Sequence, residues 1–213
     1  GHAYKAAQQR DKAMNIYLVA LDLADRSQDY NLAGYINTYL ADQYKFEEKY
    51  NQAKEKYQEA ATYFEKANNL RSRVIAMTNT GFMSFFLKEN DNIVLNYYTL
   101  SDSLALELKD SLVLCMVNNR IGLYYRMQEK YDLAEKYLIK SIEYSESDNI
   151  PNYITLSNIY GLQGKIDKSR ELLQNISQSE SNPEAKAGLI YQQYLVEKED
   201  KNWGKALEYY EES

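Results

Sequence analysis

The chain has 213 residues, a net charge of −6 and a pI of about 5.0, and an acidic chain of this kind argues against direct nucleic-acid binding by this segment. One cysteine, Cys115, and one histidine, His2, exclude an internal disulfide framework and a multi-histidine zinc site. No apolar run approaches the roughly 18 residues that indicate a membrane span.

Proline and glycine are scarce, with two and eight residues. A sheet-rich fold needs many tight turns, and such turns depend on those residues. Long helices need few of them, so the composition favours an all-α chain. The 22 tyrosines each combine an apolar ring with a hydroxyl that prefers water or a hydrogen-bond partner. This suggests layers only one helix pair thick.

Apolar residues recur at intervals of three and four, which predicts α-helices along the whole chain. In chain order, the predicted helices lie near residues 9–27, 30–47, 51–68, 70–88, 91–108, 111–128, 131–146, 151–162, 165–178, 183–198 and 203–213. Pro183 is expected in the first turn of the tenth helix, where its missing N–H costs nothing.

A three-residue stripe with spacing four and then three recurs six times, and each stripe lies on one helix face. The six copies are Ala13-Tyr17-Ala20, Ala53-Tyr57-Ala60, Ile93-Tyr97-Leu100, Ala134-Leu138-Ser141, Ser169-Leu173-Ile176 and Ala206-Tyr210-Ser213. Nine residues before most stripes stands a tyrosine, at Tyr4, Tyr44, Tyr125 and Tyr160. Ser84 takes this place in the third copy. In the sixth, Tyr194 stands twelve residues ahead, which predicts a longer turn there.

A small residue precedes the tyrosine position by three, at Ala41, Gly81, Gly122 and Ser157. Together these positions resemble the tetratricopeptide repeat, which places small, aromatic, alanine, aromatic and alanine residues in this order over two antiparallel helices. The resemblance covers essentially the whole chain. It implies an all-α, right-handed superhelix, or solenoid, of about five to six antiparallel helix pairs.

The predicted repeats lie near residues 1–28, 29–69, 70–109, 110–147, 150–179 and 183–213. We expect one continuous repeat domain over residues 1–213, forming a piece of a longer protein. The period is about 40 residues and falls to about 35, against 34 for the standard unit. Long, proline-poor repeats of this kind are similar to those of bacterial regulators that sense peptides or partner proteins.

The sequence contains little that could support catalysis. The segment from Gly161 to Lys165 has two residues between its glycines and is followed by Ile166, whereas a phosphate-binding loop needs four residues and then Ser or Thr. It is interpreted as a turn. Cys115 lies in an apolar run, so a buried packing thiol is favoured over a redox role. We therefore expect no enzyme activity, no cofactor and no metal.

The first helix of each pair lines the concave face in the repeat family, and the register assigns the residues expected to bind a partner. They are Tyr35, Thr38, Asp42 and Lys45 in the second repeat, Thr78, Phe82 and Phe85 in the third, Met116, Asn119, Leu123 and Arg126 in the fourth, and Ile154 and Asn158 in the fifth. Phe82, Phe85, Met116 and Leu123 are expected to form an apolar patch with a polar rim. The alternative is that the two phenylalanines pack between repeats.

Chaperone-binding members of the family hold a terminal carboxylate with lysine and asparagine. Here Thr38 and Thr78 occupy the lysine site and Asp42 the first asparagine site, so that clamp is rejected. The predicted function is a non-catalytic protein- or peptide-binding scaffold or sensor module. The alternative is self-assembly, or homo-oligomerisation, through uncapped ends of a larger regulatory or envelope protein. The segment is expected to be soluble, either in the cytoplasm or as the periplasmic part of a membrane-anchored protein.

Overall fold

The structure is a computed structural model that describes residues 2–145, 150–180 and 182–212, with the backbone alone for residues 2–11 and 179. Within these ranges the chain forms eleven α-helices and no strand. They are α1 (His2–Ser27), α2 (Tyr30–Phe46), α3 (Tyr50–Lys66), α4 (Leu70–Phe86), α5 (Asp91–Leu108), α6 (Ser111–Met127), α7 (Tyr131–Glu143), α8 (Ile150–Leu162), α9 (Ile166–Ser179), α10 (Pro183–Glu199) and α11 (Trp203–Glu212).

The predicted helices all form, and the all-α class is confirmed. Ten of the eleven agree with the prediction to within three residues at each end. The exception is α1, which begins at His2 and passes Tyr4 without a turn. Tyr4 therefore does not end a preceding helix as Tyr44 does, and the first predicted repeat contains a single helix within the described residues.

Contacts between the helices divide the chain into two compact units, which we call unit 1 (Gly1–Val113) and unit 2 (Leu114–Ser213). In unit 1, each helix from α1 to α5 packs against the next. In unit 2, the helices from α7 to α11 pack in the same sequential way, and α8 also contacts α10. Helix α6 is joined to α7 by Ser141 Oγ, which donates to the carbonyl oxygen of Cys115 at 2.7 Å. The single continuous domain stays a prediction.

A left-handed residue closes most of the turns between the described helices. At Glu48 (φ 58°), the N–H donates to the carbonyl of Lys45, and the next N–H, of Lys49, donates to the carbonyl of Tyr44 at 2.9 Å. This pair of bonds is the Schellman motif. The motif recurs at Gln28, Asn68, Lys88, Glu129, Gly164 and Lys201. Only Gly164 is a glycine, so the turns form despite the scarcity of that residue.

The third stripe is wrong by one residue. The buried residues of α5 are Val94, Tyr98, Ser101 and Ala105, whereas Ile93 and Leu100 are exposed. The reason lies in the preceding turn. Helix α3 begins two residues after its left-handed Glu48, but α5 begins three residues after Lys88. The extra residue, the N-cap Asn90, rotates the helix by one position, which is about 100°.

The sixth copy also differs from its prediction. The turn after α10 is as short as the others, because Asn202 N–H donates to the carbonyl of Glu197 at 2.9 Å. Glu197, and not Tyr194, therefore occupies the tyrosine position, and no longer turn is present. Its side chain is only 1% exposed. A buried carboxylate in this place requires a cation, which Arg170 of α9 supplies.

Candidate functional site

Unit 2 contains a cleft of about 580 Å³ between α8 and α10, with contributions from the end of α6 and the start of α11. We call it the Trp203 cleft. Its lining residues are Arg126, Ser157, Asn158, Gly161, Leu162, Gln192, Leu195, Val196, Lys198, Glu199 and Trp203. The volume suits several side chains of a peptide, since ligand sites commonly span about 300–1,000 Å³.

The cleft combines apolar walls with charged groups at its edge. Leu162 and Leu195 supply aliphatic surface, and the indole of Trp203 is 63% exposed. Gly161 lies where a side chain would narrow the space, because a Cβ there would come within 3.3 Å of Glu199 Oε2. A partly exposed tryptophan beside aliphatic side chains is the kind of surface that anchors a partner.

Two cations and one anion border the cleft. Among the described residues, Arg126 has no side-chain hydrogen bond or ion pair. Lys198 has no ion pair within the same ranges. Lys198 Nζ instead lies 5.6 Å from the centre of the Tyr194 ring. Since the anion is Glu199, the border carries a net positive charge. A carboxylate could accept two parallel hydrogen bonds from Arg126.

Two amides face each other inside the cleft. Gln192 Nε2 donates to Asn158 Oδ1 at 2.5 Å, which joins α10 to α8. The Nδ2 group of Asn158 makes no hydrogen bond within the described ranges, so it can donate to a peptide carbonyl. Below them, Ser157 Oγ lies 2.7 Å from Ser169 Oγ, and the latter also donates to the Ser157 carbonyl at 3.1 Å. These bonds hold α8 against α9.

Arg170 of α9 holds the turn that carries Trp203. Its Nε and Nη2 atoms donate to the two carboxylate oxygens of Glu197 at 2.6 and 3.0 Å, and Nη2 also donates to Asp200 Oδ2 at 2.8 Å. Asn202 Nδ2 completes the arrangement by donating to Glu197 Oε2 at 2.9 Å. The hydrogen bonds to Glu197, and to a smaller extent the one to Asp200, raise the pKa of Arg170 above its ordinary value. The start of α11 is therefore fixed to α9 and α10.

The predicted residues of α2 form a polar strip in unit 1. Asp42 Oδ1 accepts from Lys45 Nζ at 2.6 Å and from Tyr57 OH at 2.5 Å. Thr38 donates to the carbonyl of Gly34 at 3.0 Å. Tyr35 is exposed at the other end of the strip, and the hydrogen bond of its hydroxyl with Ser72, followed by that with Asn69, lowers the pKa of its phenol. The strip has most of its polar groups occupied by neighbours.

Thr78 is a correction to the predicted set. It is fully buried, and its hydroxyl donates to the carbonyl of Val74 at 2.8 Å. A threonine that satisfies its hydroxyl on its own helix can enter a core, so it offers nothing to a partner.

The two predicted phenylalanines of α4 are half-buried. Phe82 packs against the core residues Ala41, Ala53, Tyr57 and Met83 and meets Phe86 edge-to-face. Phe85 also packs edge-to-face on Phe86, with ring centres 5.7 Å apart. These contacts favour the packing alternative for Phe82. Phe85 keeps part of its surface exposed, and its role in binding stays a prediction.

The remaining predicted residues lie in unit 2. Arg126 and Asn158 both line the Trp203 cleft. Met116 and Leu123 of α6 are half-buried. Asn119 Nδ2 donates to Asn152 Oδ1 at 2.5 Å, so this amide joins α6 to α8. Ile154 packs against the core cluster that contains Leu173 and Leu189. Met116 and Leu123 belong to a different unit from Phe82 and Phe85, so the patch expected from the four stays a prediction.

Sequence reasoning missed the contributions of α10 and α11 to the cleft, chiefly Gln192, Lys198 and Trp203. Two features of the sequence could have indicated them. Trp203 is the single tryptophan of the chain and directly follows a turn. Placing the sixth tyrosine position at Glu197 would also have put Lys198 and Trp203 at the same end of the helix pair.

Among the residues that the structure describes, no group of three or more His, Cys, Asp or Glu side chains could hold a metal ion. Within the same ranges, no helix combines the length and the apolar character needed to cross a membrane. Cys115 is buried, with its sulfur 3.5 Å from Ser141 Oγ.

The fold resembles those of several solved structures. BtubC from P. vanneervenii matches with a TM-score of 0.78 and 14% identity over 93% of this chain and 87% of that one. A putative kinesin light chain with nearly identical TPR-like repeats from Podosopora anserina matches with a TM-score of 0.67 and 14% identity, over 82% and 90% of the two chains.

The C-terminal part of a TPR repeat-containing protein from Cytophaga hutchinsonii matches with a TM-score of 0.63 and 18% identity, over 98% of this chain and 76% of that one. No protein-family model matches the sequence, and neither does any curated protein. Identities this low show the fold alone. The chain has an all-α, tetratricopeptide-like repeat fold, which confirms the resemblance that the sequence predicted.

Proposed function

We propose that the chain is a non-catalytic module that binds a protein or peptide, and that the Trp203 cleft is its binding site in unit 2. The main support is that an exposed Trp203 and an Arg126 side chain with no ion-pair partner in the described ranges line the same cleft. Both residues line one concave surface, so a ligand there could cover the exposed ring and pair with the cation, as at the anchor positions of protein interfaces. The fold shared with the similar solved structures supports an interaction scaffold in general.

The chemistry of the cleft defines the ligand class. Its walls suit a large apolar side chain, and Arg126 and Lys198 suit one or two carboxylates next to that side chain. Asn158 Nδ2 can donate to a main-chain carbonyl of an extended segment. The ligand is therefore a peptide segment that places a bulky apolar residue beside acidic residues. The module would act as a sensing or scaffold segment.

The single tryptophan provides the test. Short peptides without tryptophan, each carrying leucine or phenylalanine followed by two glutamates, are titrated while Trp203 emission is recorded. We expect a saturable change in emission, and at least about tenfold weaker binding when glutamines replace the glutamates. Lys198→Met should weaken binding, whereas Lys186→Met, on the same helix and outside the cleft, should not.

Unchanged Trp203 emission across the peptide set would contradict the proposal, as would equal effects of the two lysine substitutions. Affinity capture from a lysate of the source cells is a second test of the binding site. A partner retained equally by wild type and by an Arg126→Met variant of unchanged circular dichroism would place binding away from this cleft.

Self-assembly is the second candidate, and one observation favours it. The outer face of α11 exposes Leu207 and Tyr210, by 57% and 62%. The equivalent residues of α9, Arg170 and Leu173, contact α10 instead. An uncovered apolar face of this kind promotes association between repeat proteins. Molar mass measured by light scattering over a wide concentration range tests it, and a strict monomer would exclude it.

A further inference from the structure

A second apolar hollow adjoins the Trp203 cleft in unit 2. It measures about 340 Å³ and is lined by Tyr194, Trp203, Ala206, Leu207 and Tyr210. Trp203 belongs to both hollows, so the cleft and the outer face of α11 form one continuous surface. We call the second part the α11 face. Every residue that lines it is apolar or aromatic.

The charges on the two parts are opposite. The Trp203 cleft is bordered by Arg126 and Lys198 against one anion, Glu199. Helix α11 ends in Glu208, Glu211 and Glu212, with Lys205 as its single cation. Glu211 lies four residues after Leu207, so both side chains project from the same side of the helix. The α11 face therefore presents an apolar side chain next to a carboxylate.

That combination matches the ligand class assigned to the cleft, and the two surfaces are neighbours in the same unit. An arrangement with twofold symmetry lets two copies exchange such surfaces, because each copy then offers both the cleft and the helix. We propose that unit 2 forms a symmetric homodimer in which α11 of each copy occupies the Trp203 cleft of the other. Leu207 and Tyr210 enter the cleft, and Glu211 pairs with Arg126 of the second copy.

This arrangement has a regulatory consequence, which rests on the proposed function. A cleft filled by α11 of a second copy cannot hold a peptide at the same time. Dimer and peptide complex are therefore mutually exclusive, and each lowers the apparent affinity of the other by mass action. A peptide that displaces α11 would convert dimer to monomer, so ligand binding would be read out as a change in association state.

Charge reversal tests the pairing directly. Molar mass is measured by sedimentation equilibrium over a hundredfold range of concentration for wild type, Arg126→Glu, Glu211→Arg and the double variant. We expect a concentration-dependent dimer for wild type, at least about tenfold weaker association for each single variant, and recovery in the double variant. Lys186→Glu, a control on α10 outside the cleft, should associate as wild type does.

Failure of this inference is distinguishable from failure of the proposed function. Leu207→Asp should yield a monomer that still binds the acidic peptides, and more tightly than wild type at high protein concentration, because its cleft is open. A wild-type chain that is monomeric throughout would overturn the dimer. So would a dimer that none of the charge reversals weakens, or one that the double variant fails to restore.

Discussion

Glu197 is held by Arg170 through two hydrogen bonds, from Nε to Oε1 at 2.6 Å and from Nη2 to Oε2 at 3.0 Å. The carboxylate is buried where other repeats place a tyrosine such as Tyr160. Removing the cation while the anion stays is costly, because an unpaired charge then remains out of water. We expect Arg170→Met to lower the free energy of unfolding by about 3 kcal/mol, measured by urea denaturation.

The double substitution Arg170→Leu with Glu197→Tyr separates charge pairing from packing. It restores the residue type of the other repeats, and we expect it to recover stability to within about 1 kcal/mol of wild type. A double variant as unstable as Arg170→Met would show that the ion pair does more than neutralise Glu197.

Replacing each of three glycines with alanine should change the free energy of unfolding by a different amount. A Cβ on Gly122 would lie 2.8 Å from Leu138 Cγ and 3.4 Å from the backbone nitrogen of Leu138, inside a packed crossing. On Gly161 it would meet the mobile end of Glu199, and on Gly188 it would meet nothing within 4 Å.

We expect Gly122→Ala to destabilise by about 2 kcal/mol and Gly188→Ala, in mid-helix, to stabilise by about 0.8 kcal/mol, with Gly161→Ala between them. Thermal melts of the three variants check the order. A neutral Gly122→Ala would show that α6 and α7 are not tightly packed at this crossing.

The left-handed turns predict opposite effects for two adjacent residues. Glu48 has φ 58°, whereas its neighbour Glu47, the helix cap, has φ −85°. A non-glycine residue at positive φ is strained, so we expect Glu48→Gly to stabilise unit 1 by about 1 kcal/mol. Glu47→Gly should destabilise it by a similar amount, because glycine loses more chain entropy there. Urea denaturation of both variants measures the two effects. Equal effects would contradict the placement of Glu48, and not Glu47, as the left-handed residue of the turn.

The ion pair between Lys54 and Glu89 predicts a pH dependence. Lys54 Nζ lies 2.5 Å from Glu89 Oε1, and this hydrogen bond, stronger than the opposing effect of burial, lowers the pKa of Glu89. A carboxyl whose pKa is lower in the folded state stabilises above its unfolded pKa, near 4.5. That contribution disappears as pH falls through the lower folded value.

We therefore expect Lys54→Met to destabilise by about 1 kcal/mol at pH 7, with the difference from wild type shrinking below about pH 4.5. Denaturation by urea at both pH values measures it, with the exposed Lys136→Met as control. A difference in stability that stayed constant down to pH 3 would show that the effect of Lys54→Met does not depend on the charge of Glu89.

The sequence pattern predicts helices and their apolar faces well, because burial repeats with the helical period. The stripes Ala134-Leu138-Ser141 and Ser169-Leu173-Ile176 are buried as predicted. The stripe of α5 was wrong, since one additional turn residue, Asn90, rotates a whole helix without altering its composition. Turn length depends on backbone conformation, and the left-handed residues here include Glu48 and Lys88, which carry no recognisable turn preference.

The candidate site was predictable only in part. The register assigned Arg126 and Asn158 to the concave face, and both line the Trp203 cleft. Trp203 was not predicted, because its position depends on the Arg170–Glu197 contact between α9 and α10, which the repeat pattern does not indicate. Thr78 failed for another reason. A polar residue type does not imply exposure when the side chain can satisfy itself on its own helix.

The left-handed turn residues Gln28, Glu48, Asn68 and Lys88 follow one another at intervals of twenty residues. Each turn is closed by two main-chain bonds, and the side chains of Asp29, Asn69 and Asn90 also cap the helix that follows, so the side-chain requirement is confined to one cap position per turn. A gene duplication or deletion spanning two such intervals would therefore return the chain to the same phase of helix and turn, wherever its breakpoints fell. The architecture of unit 1 is tolerant of lengthening and shortening by recombination, and its helix pairs can be gained or lost without redesign of the joints.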